Sequence, residues 1–221
     1  MFIGVALVSG TLGAEICYSV AGASPSLKRS SPTKVTLFAT PIGTAPKART
    51  RLDGSCNTGG SDVSNRPDAA RCFTTRSNAR GINVFDPCFH SEGGSTPGKL
   101  DLFLCPDDPW NSSVGGTVVA VPGGAGVSRE GPSSFRPWAL LLVNGQRCLA
   151  TGGATGTTAG LRYNYGCFAP PFARNVRQPI GKAGGIVLGD PDQRARVWSA
   201  LFTKDTTGRG FTPVGVRQAY E

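Results

Sequence analysis

At 221 residues and 39% hydrophobic, the chain can bury a core without metals or crosslinks, and its 31 Gly and 17 Pro argue against a bundle of long helices. One His and seven scattered Cys with no C-x-x-C pair argue against a zinc ribbon, a thioredoxin-type site or a mixed Cys–His metal centre, so no metal or other cofactor is expected. Twenty-three Lys and Arg against 14 Asp and Glu, a net charge of +9, favour anionic partners such as wall polymers, phospholipid head groups or nucleic acid.

Phe2 to Ala14 is an apolar run too short to span a bilayer, so no transmembrane span is expected. Ala21-Gly22-Ala23 then has the small-x-small pattern of a signal-peptidase site. No basic residue precedes the run, and Glu15 interrupts the approach to the site. Residues 1–23 are nonetheless expected to be an export signal, because the cysteine usage suits an oxidising compartment. Its removal takes Glu15 and no basic residue, leaving 23 bases against 13 acids, a net +10.

Residues 24–53 are expected to form a Pro-rich basic arm carrying Lys28, Arg29, Lys34, Lys47, Arg49 and Arg51. It is either a solvated tether or a grip on an anionic polymer, with Lys34 to Thr40 as a possible strand inside it. A compact domain is expected over residues 54–221. Arg66 to Phe73 predicts a short helix, with Asn65 as cap and Pro67 in the first turn. Asp86-Pro87-Cys88-Phe89 predicts a turn. Lys99 to Cys105 and Gly116 to Pro122 predict strands, the first with Leu100, Leu102 and Leu104 on one face.

Pro137 to Val143 predicts a buried strand, and Asn144-Gly145 is a strong hairpin signal because both residues tolerate positive φ. Gln146 to Thr151 returns, and a Gly/Thr-rich loop spans Gly152 to Gly160. Leu161 to Phe168 predicts a strand with Leu161, Tyr163, Tyr165 and Cys167 on one face and Arg162 and Asn164 on the other. Ile186 to Leu188 and Val214 to Tyr220 add strands. Asp190-Pro191-Asp192-Gln193 resembles a helix start, but the aromatic and β-branched run Val197 to Thr203 predicts a strand. The expected fold class is all-β, or β-rich with one short helix: an antiparallel meander forming a disulfide-stapled sandwich or barrel.

Gly54-Ser55-Cys56, Arg66-Pro67-Asp68-Ala69-x-Arg71-Cys72 and Asp86-Pro87-Cys88-Phe89 together resemble an uncharacterised secreted domain of actinobacteria and some other bacteria. Pro137-Trp138-Ala139-Leu140, Asn144-Gly145-x-x-Cys148, Thr151-Gly152, Arg162-x-Asn164-Tyr165-x-Cys167 and Gly189-Asp190-Pro191 continue the pattern over roughly residues 54–221. Where that family usually has an aromatic after its first Cys, this chain has Asn57. The resemblance implies an extracytoplasmic location and three disulfides among Cys56, Cys72, Cys88, Cys105, Cys148 and Cys167, and it implies no activity. Six cysteines allow 15 pairings. Cys72–Cys88 would close one short segment. Cys148–Cys167 would join strands linked by one loop, and would need an asymmetric loop or a bulge. Cys56–Cys105 then remains. Cys17 stands apart, in the signal segment.

Gly93 to Lys99 has the spacing of a phosphate loop, but Leu100 stands where Ser or Thr must bind magnesium, and the segment feeds a strand. No nucleotide is expected. The Gly152 to Gly160 loop lacks the helix a dinucleotide site needs; it is a hairpin loop or, alternatively, a binding tip. His90 could act as base for Cys88 only if Cys88 were free, which the disulfide framework opposes. Asp101, Asp107, Asp108, Asp190 and Asp192 could pair as glycosidase-type carboxylates or hold calcium, but Asp107-Asp108-Pro109 and Asp190-Pro191-Asp192 are turn-forming sequences first. Trp110, Trp138, Tyr163, Tyr165 and Trp198 are core aromatics or a sugar-stacking groove. Arg162, Tyr163, Asn164 and Tyr165 are the candidate ligand-binding residues.

No coherent catalytic set emerges. The sequence points to an exported, secreted or wall-associated, non-catalytic binding or structural module of the bacterial cell exterior. Its expected partner is an anionic wall polymer or another exported protein, with nucleic acid not favoured. The alternative is a cell-wall hydrolase using paired carboxylates.

Overall fold

The computed structural model describes residues 31–38, 48–57, 60–75, 82–91, 100–110, 116–123, 135–153, 155–168, 184–205 and 207–221. The export segment with Cys17, the arm residues Lys28, Arg29 and Lys47, and the Gly93 to Lys99 loop lie outside them. The strands in chain order are β1 (Lys34–Thr36), β2 (Ala48–Asp53), β3 (Ser55–Asn57), β4 (Ala69–Thr75), β5 (Ile82–His90), β6 (Asp101–Cys105) and β7 (Gly116–Val121). Then come β8 (Ala139–Leu142), β9 (Arg147–Ala150), β10 (Thr157–Thr158), β11 (Leu161–Phe168), β12 (Gly185–Asp192), β13 (Ser199–Thr203) and β14 (Thr212–Tyr220).

The fold is all-β; the described residues contain no helix, and hence none long and apolar enough to cross a membrane. The helix expected over Arg66 to Phe73 is corrected to a turn at Pro67 and Asp68 followed by β4. A helix of two turns is marginal alone. Strand pairing with β3 and β5 instead uses both edges of the segment and buries Ala70, Cys72 and Thr74 on one face. The turn expected at Asp86 to Phe89 is corrected too: those residues run inside β5, and the register on β4 slips there between Ala70 and Cys72. Asp190-Pro191-Asp192 ends β12 and opens no helix.

Strands β8, β9, β11, β12, β13 and β14 pair in sequence, and β14 returns to β8, closing a six-stranded antiparallel barrel. β1 adds in parallel to β14, beyond the end of β13, and β10 pairs with β11. The barrel core holds Leu140, Leu142, Cys148, Tyr165, Cys167, Val187, Phe202 and Val216. Asn144-Gly145 makes the β8–β9 turn as expected. β11 matches its expected span, but only Tyr165 and Cys167 of its four supposed inward residues are buried. Its first half runs past β9 and pairs with β10, which leaves Leu161 exposed.

The second sheet runs β2-β7-β6-β5-β4-β3. A single residue, Gly54, separates β2 from β3, so the two ends of this sheet are neighbours in the chain and the sheet curls back on itself. The Gly54 N–H donates to the Ala120 carbonyl of β7 at 3.0 Å. A Cβ at Gly54 would lie 2.9 Å from both Thr74 Cγ2 and Val119 Cγ1. Only glycine lets β4 and β7 approach this closely at the closure. Of the arm residues, Arg49 and Arg51 lie on β2, paired with β7, and Lys34 on β1, paired with β14.

Each disulfide joins residues directly opposite on adjacent antiparallel strands. Cys148–Cys167 links β9 to β11 as expected, and the β10 excursion supplies the asymmetry its loop requires. The other two expectations are corrected: the bridges are Cys56–Cys72 and Cys88–Cys105. Cys56 faces Cys72 across β3–β4, whereas across β4–β5 Cys88 faces Ala70 and Cys72 faces Phe85. The Sγ atoms of Cys72, Cys88 and Cys105 lie within 4.8 Å of one another in a core with Phe103, Val119 and Val121.

A third cluster sits between the two sheets: Val63, Ala69 and Phe89 from one side, Trp138, Ala139 and Tyr220 from the other, with Phe38 against them. The Phe38 and Phe89 ring centroids are 4.9 Å apart. β1 thus delivers Phe38 into the seam.

Candidate functional site

Arg66 sits at this seam, 9% exposed. Its fork holds Asp68, with Nε to Oδ1 at 2.8 Å and NH2 to Oδ2 at 2.5 Å, while NH1 donates to the carbonyls of Phe38 and Glu221. The guanidinium lies 4.5 Å from the Phe89 ring centroid. One side chain therefore ties β1, the chain's last residue and the β4 turn together, the bidentate use to which Arg is suited.

Beside it is a polar cluster. The Ser61 hydroxyl donates to Asp86 Oδ1, and the Asp62 N–H donates to Asp86 Oδ2 at 3.1 Å. Arg71 pairs with the Asp62 carboxylate, and Arg136 donates to the Asp62 carbonyl at 2.8 Å. Burial holds the Asp86 carboxyl above its ordinary value of 3.8; the bonds from Ser61 and Asp62 oppose this shift and the Asp62 charge adds to it. A pKa raised by folding gives stability that is full below the unfolded value and is lost as pH rises through the folded one. Asp86→Asn removes that titration. The urea midpoint of the variant relative to the parent is expected to rise as pH increases above the ordinary carboxyl value of 3.8; parallel midpoint curves for the two proteins would refute it.

The five carboxylates singled out in the sequence do not form such a cluster. Asp101 is buried with His90, Nε2 to Oδ1 at 3.5 Å. Asp107 lies by Arg49 and Thr117, and burial raises its pKa. Asp108 accepts the Trp110 N–H at 3.0 Å, and Asp190 accepts from Asn164 Nδ2 at 2.9 Å. Asp192 is held down to about 2 by hydrogen bonds from Arg194, the wrong direction for a general acid. Each has its own partner in a different place. His90 has no nucleophile in Cys88, whose sulfur is bonded to Cys105.

Nor do the four candidate ligand residues of β11 make one surface. Arg162 is exposed and turns back on its own loop, to the Gly153 carbonyl at 2.5 Å and Thr155 Oγ1 at 3.3 Å. Tyr163 bonds Thr158 at 2.7 Å and packs against Phe211. Tyr165 is a core residue whose hydroxyl donates to the Pro137 carbonyl at 2.6 Å, and burial pushes its phenol far up. The aromatics separate likewise: Trp138 is buried, and Trp110 is half-buried between Tyr220 and the Arg147 guanidinium.

The structure does gather cations where the sequence had not suggested it. Thr33 donates its N–H to the Arg196 carbonyl at 3.2 Å and its hydroxyl to the Val216 carbonyl at 2.6 Å, and accepts the Trp198 N–H at 2.8 Å. These bonds bring together the residues next in the chain: Lys34, Arg196 and Arg217. All three are exposed, and among the described residues none has a partner for its charged group. Neighbouring Arg194 is the cation that is neutralised, by Asp192 at 2.7 Å. Only Lys34 was singled out in the sequence. The others are isolated Arg residues on separate strands and turns, so no local motif marks them.

No family model, curated protein or solved structure matches the chain. The described residues define a class by geometry alone: an all-β protein built of a closed six-stranded barrel and a second curled sheet, held by three disulfides.

Proposed function

We propose that this is an exported, non-catalytic binding module of the bacterial cell exterior that holds an anionic wall polymer, and that residues 54–221 belong to the secreted actinobacterial family they resemble. The cluster of Lys34, Arg196 and Arg217 carries this reading. Three exposed, unneutralised cations around one hydrogen-bonded joint match a repeating polyanion better than a single small ligand. The three disulfides and the absence of an apolar spanning helix among the described residues are compatible with an extracytoplasmic location.

The test is sedimentation of the oxidised protein with sacculi that carry or lack their anionic polymers, at low and high salt, with released sugars assayed in the supernatant. Retention that needs the polymers, weakens with salt and releases no sugar is expected, because exposed charges are screened. The triple variant Lys34→Glu, Arg196→Glu, Arg217→Glu should lose retention while keeping its unfolding midpoint. Retention by the triple variant, or sugar release, would overturn the reading; sugar release would favour a hydrolase.

A further inference from the structure

β1 is the terminal strand of its sheet. The Thr36 carbonyl accepts from the Glu221 N–H at 3.0 Å, and the Phe38 N–H donates to the Glu221 carbonyl at 2.8 Å. In a parallel pair this alternation turns the peptide groups of the even-numbered residues toward β14. Those of Val35 and Leu37 therefore face the open side of the sheet. Among the described residues, neither has a hydrogen-bond partner on that side. Thr33, next in the alternation, already uses its N–H on the Arg196 carbonyl, so the open lane ends at Arg196. The side chains repeat the division: Phe38 turns into the seam, while Val35 and Leu37 are 44% and 55% exposed.

An open edge with two sets of unpaired peptide groups is a template for another strand. Charge selects which strand. Lys34, Arg196 and Arg217 surround the closed end of the lane with no acid paired to any of them. A second copy of β1 would place Lys34 against this same basic rim, whereas an acidic segment neutralises it.

We propose that β1 is a docking edge for an extended acidic segment of a partner protein, one that alternates apolar and acidic residues. Its peptide groups pair with those of Val35 and Leu37, its apolar side chains cover theirs, and its carboxylates meet Lys34, Arg196 and Arg217. The proposal goes beyond the wall-binding reading, though it uses the same cations.

The probe is a blocked octapeptide of alternating Val and Glu, added to the oxidised full chain and followed by amide shifts and hydrogen exchange. Slowed exchange of the Val35 and Leu37 amides is expected, with affinity falling as salt rises. Val35→Pro removes only an N–H that β14 does not use, a change tolerated on an edge strand. It should weaken the peptide at least tenfold and leave the unfolding midpoint and sacculus retention unchanged. The same peptide N-methylated at alternate residues should bind at least tenfold more weakly to the unaltered protein, a comparison independent of any variant's folding. Equal binding by the N-methylated peptide or by the Val35→Pro protein would overturn the proposal, as would no binding at low salt or a β1-dependent dimer of the chain alone. Any of these with sacculus retention intact leaves the wall-binding reading standing; retention lost with peptide binding intact does the reverse.

Discussion

Replacing Cys88 and Cys105 together by Ala is expected to lower the unfolding free energy by about 3 kcal/mol, from the entropy restored to the unfolded chain by opening a loop of this length. The bridge spans 17 residues, and both cysteines are buried, at 0% and 3% exposure, so the lost sulfur volume adds to the cost. Urea unfolding would show a lower midpoint. Thiol counting on the denatured protein checks the pairing independently. With Cys56 bonded to Cys72, the double variant exposes no thiol that the parent lacks. Had Cys72 been bonded to Cys88 and Cys56 to Cys105, it would expose two more.

Arg66→Ala should cost about 2 kcal/mol, chiefly because carbonyls at the seam lose their donor, while Asp68, 31% exposed, remains partly solvated. Asp68 loses a bidentate partner, and the carbonyls of Phe38 and Glu221 each lose a donor inside the seam. Burial already raises the Glu221 carboxyl, and Arg66 is the charge that opposes it, so the shift grows in the variant. Because Arg66 joins β1 to the β4 turn, hydrogen exchange should quicken at Thr36 and Phe38 before it does at β11 or β12. Uniform quickening across the protein, or a midpoint shift below about a third of that expected for the disulfide variant, would show that the seam does not depend on this side chain.

Local signals explain what the sequence disclosed of the fold. The strand-forming run Leu161 to Phe168, the apolar run of Gly116 to Val121 and the Asn144-Gly145 turn each depend on neighbours within a few residues, and each stands where expected, though only the second half of the Leu161 to Phe168 alternation turns inward. Arg66 to Phe73 misled because Asn65, Pro67 and the two alanines mimic a helix start, while what makes it a strand is pairing to β3 and β5. The disulfides misled for a related reason: strand register decides which cysteine faces which, and Cys72 stands opposite Cys56 of β3 on one side and Phe85 of β5 on the other. The site was least legible of all. The segments that carry Lys34, Arg196 and Arg217 become neighbours only because Thr33, far away in the chain, bonds to two later segments. Asp62 and Asp86 meet through Ser61, a residue with no motif around it.

The three bridges share an order: Cys56 with Cys72, Cys88 with Cys105, Cys148 with Cys167. Within the compact region, each cysteine is bonded to its immediate neighbour in the list. A chain that enters an oxidising compartment N-terminus first presents these partners two by two, so an oxidase that joins each new thiol to the one still waiting produces the native set with no reshuffling. The barrel obeys the opposite rule. β14 must pair with β8, β13 and β1, so a strand delivered among the first waits for one delivered last. In a chain so delivered, covalent linkage can keep pace with delivery, whereas closure of the barrel waits for β14.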